Sequence, residues 1–454
     1  MNPPSGPRRI AIIGAGITGL TAAHRLTQKG HTVRLFEGSN RIGGVIRTDM
    51  TGGWLVEGGP NSLLLNEPMV DYVLNELGLE SELLETNPQA RKRYIVRGGK
   101  PLPVPLSPLA LLGSRLFTVG AKARILGEMF QRPRTRNSDL TIEEFTRVHF
   151  GREVVKYALN PFVAGIYAGN PGRLSARFAF PNIWEMEKMN GSLLRSQMMT
   201  TKANGGRPSA RIVSFPQGLQ TLPNAFAARL PPGTLETRAR VETLIPGPPW
   251  NVIWKNTETT RTESFDYVIA ALPGPALSRL RFGSLGERPL AGLDAVEHAP
   301  ISSLFLGYRR DQVAHPLDGF GMLVPEIEGR TILGILFSSS LFPQRAPENH
   351  VGVTVLVGGM RRPELARLAT DQLLGLITPD LESLLGVRGK PVFQHHTFWP
   401  DAIPQYNVGY ERYFELVEEV ERRNNQLLIG GQIRDGISLP SCILAGERLA
   451  RNVN

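Results

Sequence analysis

Three glycines, Gly14, Gly16 and Gly19, stand between a short apolar run at residues 9–13 and a helical pattern at residues 20–29. That placement commits the start of the chain to strand, tight turn and helix. Gly14 permits the turn, Gly16 leaves the backbone open to a bulky anion, and Gly19 lets the helix lie close on the strand. The N–H groups and positive dipole end of the new helix favour a phosphate at that point. Gly30 ends the helix, and residues 32–37 read as a second strand, so the opening is a βαβ unit with a right-handed crossover and a parallel sheet. Glu37 closes that strand 18 residues beyond Gly19, where a carboxylate accepts hydrogen bonds from ribose hydroxyls and disfavours a 2′-phosphate. Triplet, strands and acid together describe a dinucleotide fold, against the alternative of a purely structural turn.

The remaining composition sets bounds. A chain of 454 residues with 41% hydrophobic and 20% charged content suits two or three domains with substantial cores. The single cysteine, Cys442, excludes an intramolecular disulfide framework and points to a reducing, cytoplasmic setting. The N-terminus has no signal-like apolar core, and no apolar run approaches the roughly 18 to 20 residues of a membrane span. A net charge of +10 favours anionic partners such as nucleic acid, lipid head groups or a carboxylate-bearing substrate. No zinc-knuckle spacing, RNP-like aromatic run or helix-turn-helix pattern is present, so nucleic acid is not expected. No metal is expected either; His395 and His396 are adjacent and point to opposite sides of a strand.

Along the chain, residues 67–77 read as a helix and 91–96 as a strand, after which Pro101, Pro103, Pro105 and Pro108 alternate with leucines. Helical patterns continue to about residue 200. Strand patterns return at 211–215, 239–244, 252–255 and 267–271, the last resembling a strand that rejoins the first sheet. Residues 301–358 suggest a mixed or antiparallel sheet, and 426–431 followed by a helix from about Leu439 is strand, turn and helix again. The expected class is α/β: a Rossmann-like domain assembled from discontinuous segments, a mixed-sheet domain and an inserted helical domain.

Arg41-Ile42-Gly43-Gly44 follows the acidic strand directly, and two adjacent glycines behind an arginine suit a second close approach to a diphosphate. An ordinary surface turn is the plainer alternative. This extension resembles the FAD enzymes that include amine oxidases, phytoene desaturases and protoporphyrinogen oxidases. Glu57-Gly58-Gly59-Pro60-Asn61-Ser62 is a small-residue loop able to approach a flat ring, and in that family the matching loop lies along the flavin. Near the C-terminus, Gly436-Ile437-Ser438-Leu439-Pro440 begins a helix whose positive end suits electron density in a reduced flavin.

Five further stretches narrow the resemblance to the protoporphyrinogen oxidase family: RKRYIVRGGKPLPVP, NPFVAGIYAGNPGRLSA, GFGMLVP, ILFSSSLFP and GGQIRDGISLPSC. The resemblance implies an FAD domain at 1–90, 207–285 and 408–454, a substrate domain at 91–96 and 286–407, and a helical domain at 97–206 that can sit on a membrane. It implies oxidation of protoporphyrinogen IX, or alternatively coproporphyrinogen III, with dioxygen as acceptor and peroxide as product. A reading from another class is a non-catalytic protein resembling GDP-dissociation inhibitors, against which the intact glycine set, Glu37 and Arg41 argue.

Carried over by position, the FAD contacts at the first turn are Gly14, Ala15, Gly16, Ile17, Thr18 and Gly19. Glu37, Gly38, Arg41, Gly43 and Gly44 follow, then Gly59, Pro60, Asn61 and Ser62, and finally Val241, Ile437, Ser438 and Leu439. Arg93 matches an arginine that pairs with a substrate propionate; the alternative is a solvated cluster with Arg91, Lys92 and Arg97. Leu323, Leu336 and Leu356 match positions that clamp the macrocycle, although some members carry an aromatic where Leu356 stands, and periodicity alone reads all three as core. Gly165 and Gly169 match a loop that leaves room for rings. No general base stands out; Asn61 is the candidate for orienting substrate beside the flavin. Leu102, Leu106, Leu109, Leu112, Leu116 and Phe117, next to Lys122, Arg124, Arg132, Arg134 and Arg136, predict a peripheral contact with an anionic membrane at its inner face. Soluble-core helices are the alternative, and a homodimer is left open.

Overall fold

A short apolar strand that is to be buried on both faces needs partners on both edges and cover above and below. In the computed structural model, which describes residues 6–133, 136, 138–203 and 210–453, Arg9–Ile13 obtains all four. It pairs in parallel with Thr32–Phe36 on one side and Tyr267–Ala270 on the other. Leu235–Glu236 and Leu427–Ile429 complete the five-stranded sheet at its two edges. The first helix, Ile17–Gln28, begins inside the glycine turn rather than at Leu20. Together with the last helix, Leu439–Arg451, it covers one face through Leu20, Leu26, Ile443 and Leu449. The opposite face packs Ala11 and Ile13 against Trp254 and Phe265 of a separate four-stranded sheet.

The second large sheet has seven strands. Phe393–Pro404, His298–Arg309, His350–Gly358, Ile332–Leu336 and Gly319–Leu323 run antiparallel to their neighbours, and Lys92–Arg97 joins Gly319–Leu323 in parallel. Lys100–Pro103, which the sequence places with the helical region, forms the outer strand on Lys92–Arg97. Prolines fit there because an edge strand has one side free of ladder bonds. Side chains alternate between the sheet's faces. Met322, Ile335, Val355 and Leu304 face the helix Thr370–Leu385 and bury Leu373, Ile377 and Leu381 against it.

The helical region, from Pro108–Gly113 to Leu193–Ala203, is pinned by a buried polar cluster. His149 places Nδ1 3.0 Å from Glu128 Oε1 and Nε2 2.9 Å from Glu187 Oε1. Arg136 donates twice to Glu187, at 2.7 Å each, and Ser192 and the Leu193 and Leu194 N–H groups donate to Glu128. Burial pushes the Glu128 carboxyl up, but hydrogen bonds from His149, Leu193, Ser192 and Leu194 outweigh it and hold it below its ordinary value. A depressed carboxyl contributes stability above the unfolded value of about 4.3, and that contribution is lost as pH falls through the folded value. Glu128→Gln should therefore destabilise the protein at pH 7 by about 1–3 kcal/mol. In thermal melts the gap to wild type should close as pH falls below about 4; a gap independent of pH would contradict this origin.

Candidate active site

The first glycine turn is shaped by what each glycine excludes. A Cβ on Gly19 would lie 1.9 Å from the Gly14 carbonyl oxygen, so helix and strand touch through bare backbone. A Cβ on Gly14, whose φ is +100°, would lie 2.6 Å from Ala271 O. Around Gly16 nothing lies within 4 Å of that direction, which leaves the start of the helix accessible to a ligand. Glu37 stands beside this opening: its Oε2 accepts the Ala15 N–H at 3.0 Å and its Oε1 the Ser39 N–H at 2.8 Å.

The second glycine pair lies against the first. Gly43 N–H donates to Ala15 O at 2.8 Å, and a Cβ on Gly44, at φ +60°, would be 3.4 Å from Gly16 Cα. Arg41 clasps this turn through Ile46 O at 3.0 Å and Gly44 O at 2.5 Å. Burial and the nearby Arg47 lower its pKa, while Glu37 and Asp49 oppose them. Ala239 N–H donates to Glu37 O at 2.8 Å, which brings the strand Arg240–Ile245, with half-buried Val241, beside Gly38.

The C-terminal segment closes the same region. Thr18 Oγ1 donates to Cys442 O at 2.9 Å, and a Cβ on Gly446 would be 2.6 Å from Thr18 O, so the two helices meet at backbone distance. Arg25 binds both Glu447 and Glu76 and ties the outer ends of these elements. Ser438 caps the last helix by accepting the Ser441 N–H at 3.1 Å, with Pro440 in the first turn. Ile437 is half-buried and Leu439 buried beside that cap. Gly431, at φ +113°, passes close to Thr18. Residues 15–19, 41–44 and 431–439 therefore converge.

Between the two large sheets runs the loop 57–62. A Cβ on Gly59 would lie 1.9 Å from Val45 O, and the Trp399 indole N–H donates to Gly58 O at 2.6 Å. Thr397 Oγ1, a buried hydroxyl without a hydrogen-bond partner among the described residues, sits 3.1 Å from the Cβ direction of Gly58. Asn61 Nδ2 donates to Gly59 O at 3.2 Å. Pro60 and Ser62 are half-buried in the same loop.

Strand register places most of the predicted substrate residues on one face. Ile95, Leu323, Gly334, Leu356 and Ser303 form one lateral row, and Arg93, Gly321, Leu336 and Thr354 form the next, two residues along each strand. This is the face turned away from Thr370–Leu385, and Leu323, Leu336 and Leu356 are only half-buried on it. Gly165 comes to the same place, since a Cβ there would be 2.8 Å from Leu323 Cδ2. Gly169 does not: it packs on Gln405 Oε1 and Leu174. Arg93 is exposed, lies over the Phe320 ring at 5.7 Å and makes no ion pair among the described residues. Lys92 and Arg97, by contrast, are paired with Asp318 and Glu153. His396 is held by Ser302 and Thr370 and His395 lies beside Asp49, on opposite sides of their strand.

Sequence reasoning did not find Trp399 and Thr397 against the loop, nor the ion pair between Glu57 and Arg345 beneath it. Burial pushes the Glu57 carboxyl up, opposed by Arg345 and Thr48, and pushes the Arg345 guanidinium down. The one signal in the sequence was a glutamate at the head of a small-residue loop, after the apolar run Trp54-Leu55-Val56.

A glycine cradle open at Gly16, a carboxylate where ribose would lie, a second glycine pair and an incoming helix start fit FAD. Residues 17–454 match the family described as flavin containing amine oxidoreductase, and the chain belongs to that family. It is thus an FAD-dependent oxidase in class. It is 33% identical to protoporphyrinogen oxidase 2, chloroplastic/mitochondrial, of Arabidopsis thaliana, over 98% of this chain and 93% of that one. With coproporphyrinogen III oxidase of Bacillus subtilis (strain 168) it shares 26% identity, over 97% of each chain. An Exiguobacterium sp. 255-15 structure, provisionally assigned as a protoporphyrinogen oxidase, superposes with a TM-score of 0.84 at 22% identity, over 99% of both chains. Reduced UDP-galactopyranose mutase gives 0.75 at 18% identity, over 98% of this chain and 95% of that one; these structural likenesses establish the fold.

Two substitutions separate the roles of the glycines. Gly16→Val should fold, since its Cβ meets nothing, yet purify without flavin absorbance because it fills the phosphate approach. Gly19→Ala should fail to fold or melt far lower, because its Cβ collides with Gly14 O. Stoichiometric flavin in folded Gly16→Val would refute the assignment of this turn.

Proposed function

We propose that the chain oxidises a porphyrinogen to the porphyrin in haem or chlorophyll biosynthesis, using dioxygen and releasing peroxide. The observation that carries this reading is the sheet face on which Arg93, a cation with no ion-pair partner among the described residues, lies in one lateral row with Leu336, with Leu323 and Leu356 in the adjacent row. Such a face suits a flat apolar macrocycle bearing carboxylates at its rim. Leu323, Leu336 and Leu356 contact the rings and exclude water, and Gly165 lets the helix Asn160–Tyr167 lie directly on Leu323 at the border of that surface. Arg93 grips a propionate with its planar fork. Asn61, whose Nδ2 is bound to Gly59 O, offers its amide oxygen to a pyrrole N–H at the flavin side. FAD supplies the two-electron chemistry when bound, and the protein contributes placement and a dry surface.

On this reading the five-stranded and four-stranded sheets with both terminal helices form the FAD unit, corresponding to 1–90, 207–285 and 408–454. The seven-stranded sheet forms the substrate unit, with Lys100–Pro103 added to it, and the helices from Pro108–Gly113 to Leu193–Ala203 form the third. Protoporphyrinogen IX is the favoured substrate, given the likeness to the Arabidopsis protein; coproporphyrinogen III is the alternative that the Bacillus relative brings.

A peripheral membrane contact from the cytoplasmic side is proposed on a smaller surface than the sequence implies. Leu106, Leu109 and Leu112 are 67%, 82% and 57% exposed, with Val119 and Phe130 at 81% and 85%. Leu116 and Phe117 are instead buried with Ile95 and Ala121, and Leu102 packs beside them. Lys122 and Arg124 donate to backbone carbonyls and Arg136 pairs with Glu187, while Arg134 lies outside the described residues. No helix among the described residues is long and apolar enough to cross a membrane. The wild-type protein should float with anionic liposomes at low salt and Leu109→Asp should stay at the bottom; equal flotation would remove this surface from consideration.

Substrate recognition is tested by kinetics on flavin-replete protein. Anaerobic mixing with the correct porphyrinogen should bleach the flavin band, and Arg93→Ala should lower kcat/KM about ten- to hundredfold without changing FAD content. Arg93→Lys should recover only part. No bleaching by either porphyrinogen would overturn the proposed reaction, and an unchanged kcat/KM would return Arg93 to the solvated surface.

A further inference from the structure

Arg345 is the one arginine whose guanidinium is buried between the two large sheets among the described residues, and its surroundings do more than neutralise it. It lies in the short turn Pro343–Arg345, within the connection between the strands that carry Leu336 and Leu356. The residue is 2% exposed. A single nitrogen, Nη2, donates to Asn61 O at 2.8 Å, Ser214 Oγ at 2.9 Å and Glu57 Oε1 at 3.2 Å, and the Phe342 ring lies 4.6 Å from the guanidinium carbon. Glu57 is anchored in turn from the other side: its Oε1 accepts the Leu219 N–H at 2.8 Å and its Oε2 the Thr48 hydroxyl at 2.7 Å. Gly218, at φ +81°, is required there, because a Cβ would lie 2.4 Å from Thr48 Cγ2 and 2.9 Å from Glu57 Oε1.

The carboxylate thus sets the guanidinium, and the guanidinium sets the carbonyl of Asn61. We propose that Arg345 is a positioning residue for the loop 57–62, reaching from the substrate sheet to fix Asn61 and the adjacent Gly59-Pro60 backbone against the flavin. The proposal rests on the reading that this loop lies along the flavin. Glu57 fixes the start of the loop by sequence and Asn61 its far side, so the pair closes it from both ends. The rim of the substrate sheet and the flavin-side loop then move as one piece. Charge balance alone would explain the contact with Glu57 but not the shorter one with the Asn61 carbonyl.

A double variant separates the two explanations. Glu57→Gln with Arg345→Met removes both buried charges, and such neutral replacement of a buried pair often leaves stability near its starting value. If Arg345 positions the loop, this protein should melt near wild type yet bind FAD about tenfold more weakly and turn over about tenfold more slowly. Unchanged FAD affinity and kcat in the folded double variant would reduce Arg345 to charge balance and overturn the proposal. Arg345→Lys serves if the double variant does not fold. It keeps the charge beside Glu57, but the lysine side chain is one bond shorter, so its ammonium falls short of the position from which Nη2 reaches all three acceptors. It should show the same losses, and wild-type values in it would overturn the proposal equally. The reading of the loop is checked apart from Arg345 by alkylating Asn61→Cys, since the natural thiol, Cys442, is buried. FAD should slow that alkylation. Absence of protection would defeat the placement of the loop, whereas protection with an unaffected double variant would defeat Arg345 alone.

Discussion

The contact between the first and last helices is the constraint on which the rest of the molecule depends. Thr18 donates its hydroxyl to the carbonyl of Cys442 across 424 residues of chain, and Gly446 lets the backbones meet there. Because Leu427–Ile429 is the edge strand beside Tyr267–Ala270, the chain leaving it must cross the end of the sheet before Ser438 starts the last helix. The glycine turn and the Ser438 cap are thereby delivered to one place. Neither end of the chain makes this site alone. A long intervening stretch can be inserted without disturbing it, since the sheet is closed by strands from 9–13, 267–270 and 427–429.

The second sheet is built on an asymmetry between its faces. One face is filled by the helix Thr370–Leu385 and forms a conventional core. The other carries half-buried leucines, glycines at 321 and 334, and the exposed cation of Arg93 over the Phe320 ring. Its far edge, Thr397 and Trp399, touches Gly58 of the loop that Val45 and Arg345 hold from below. Glycine at 59 is therefore a packing necessity as much as a functional one: any side chain would displace the strand connection at Val45. Stability and function draw on the same residues here.

Much of this was legible where one residue type has one physical use. The glycines of the first turn, Glu37, and the continuous apolar run at 267–271 each admit few structures, and each forms the element that the sequence predicts. The face shared by the three leucines follows from period-two alternation once register is known, yet register itself is not written locally. Lys100–Pro103 was hidden because proline argues against a strand unless the strand is an edge, which only topology reveals. Leu109 and Leu116 are indistinguishable by composition, though one is exposed and the other buried against Ile95. Arg345 and Glu57 are 288 residues apart, so no spacing announces them. Gly165 and Gly169 lie in one motif, but a turn of helix ending at Ala168, with φ +45°, sends them to different neighbours.

A single flavin site assembled from both ends of the chain should respond to FAD as one unit, and hydrogen–deuterium exchange with and without the cofactor reads that response at each end separately. FAD should slow exchange together at the amides of Ala15 to Thr18, at Gly43 and Gly44, and at Ile437, Ser438, Leu439 and Ser441. Protection confined to the N-terminal turn, with the Ser438 cap exchanging at the same rate in both states, would contradict it.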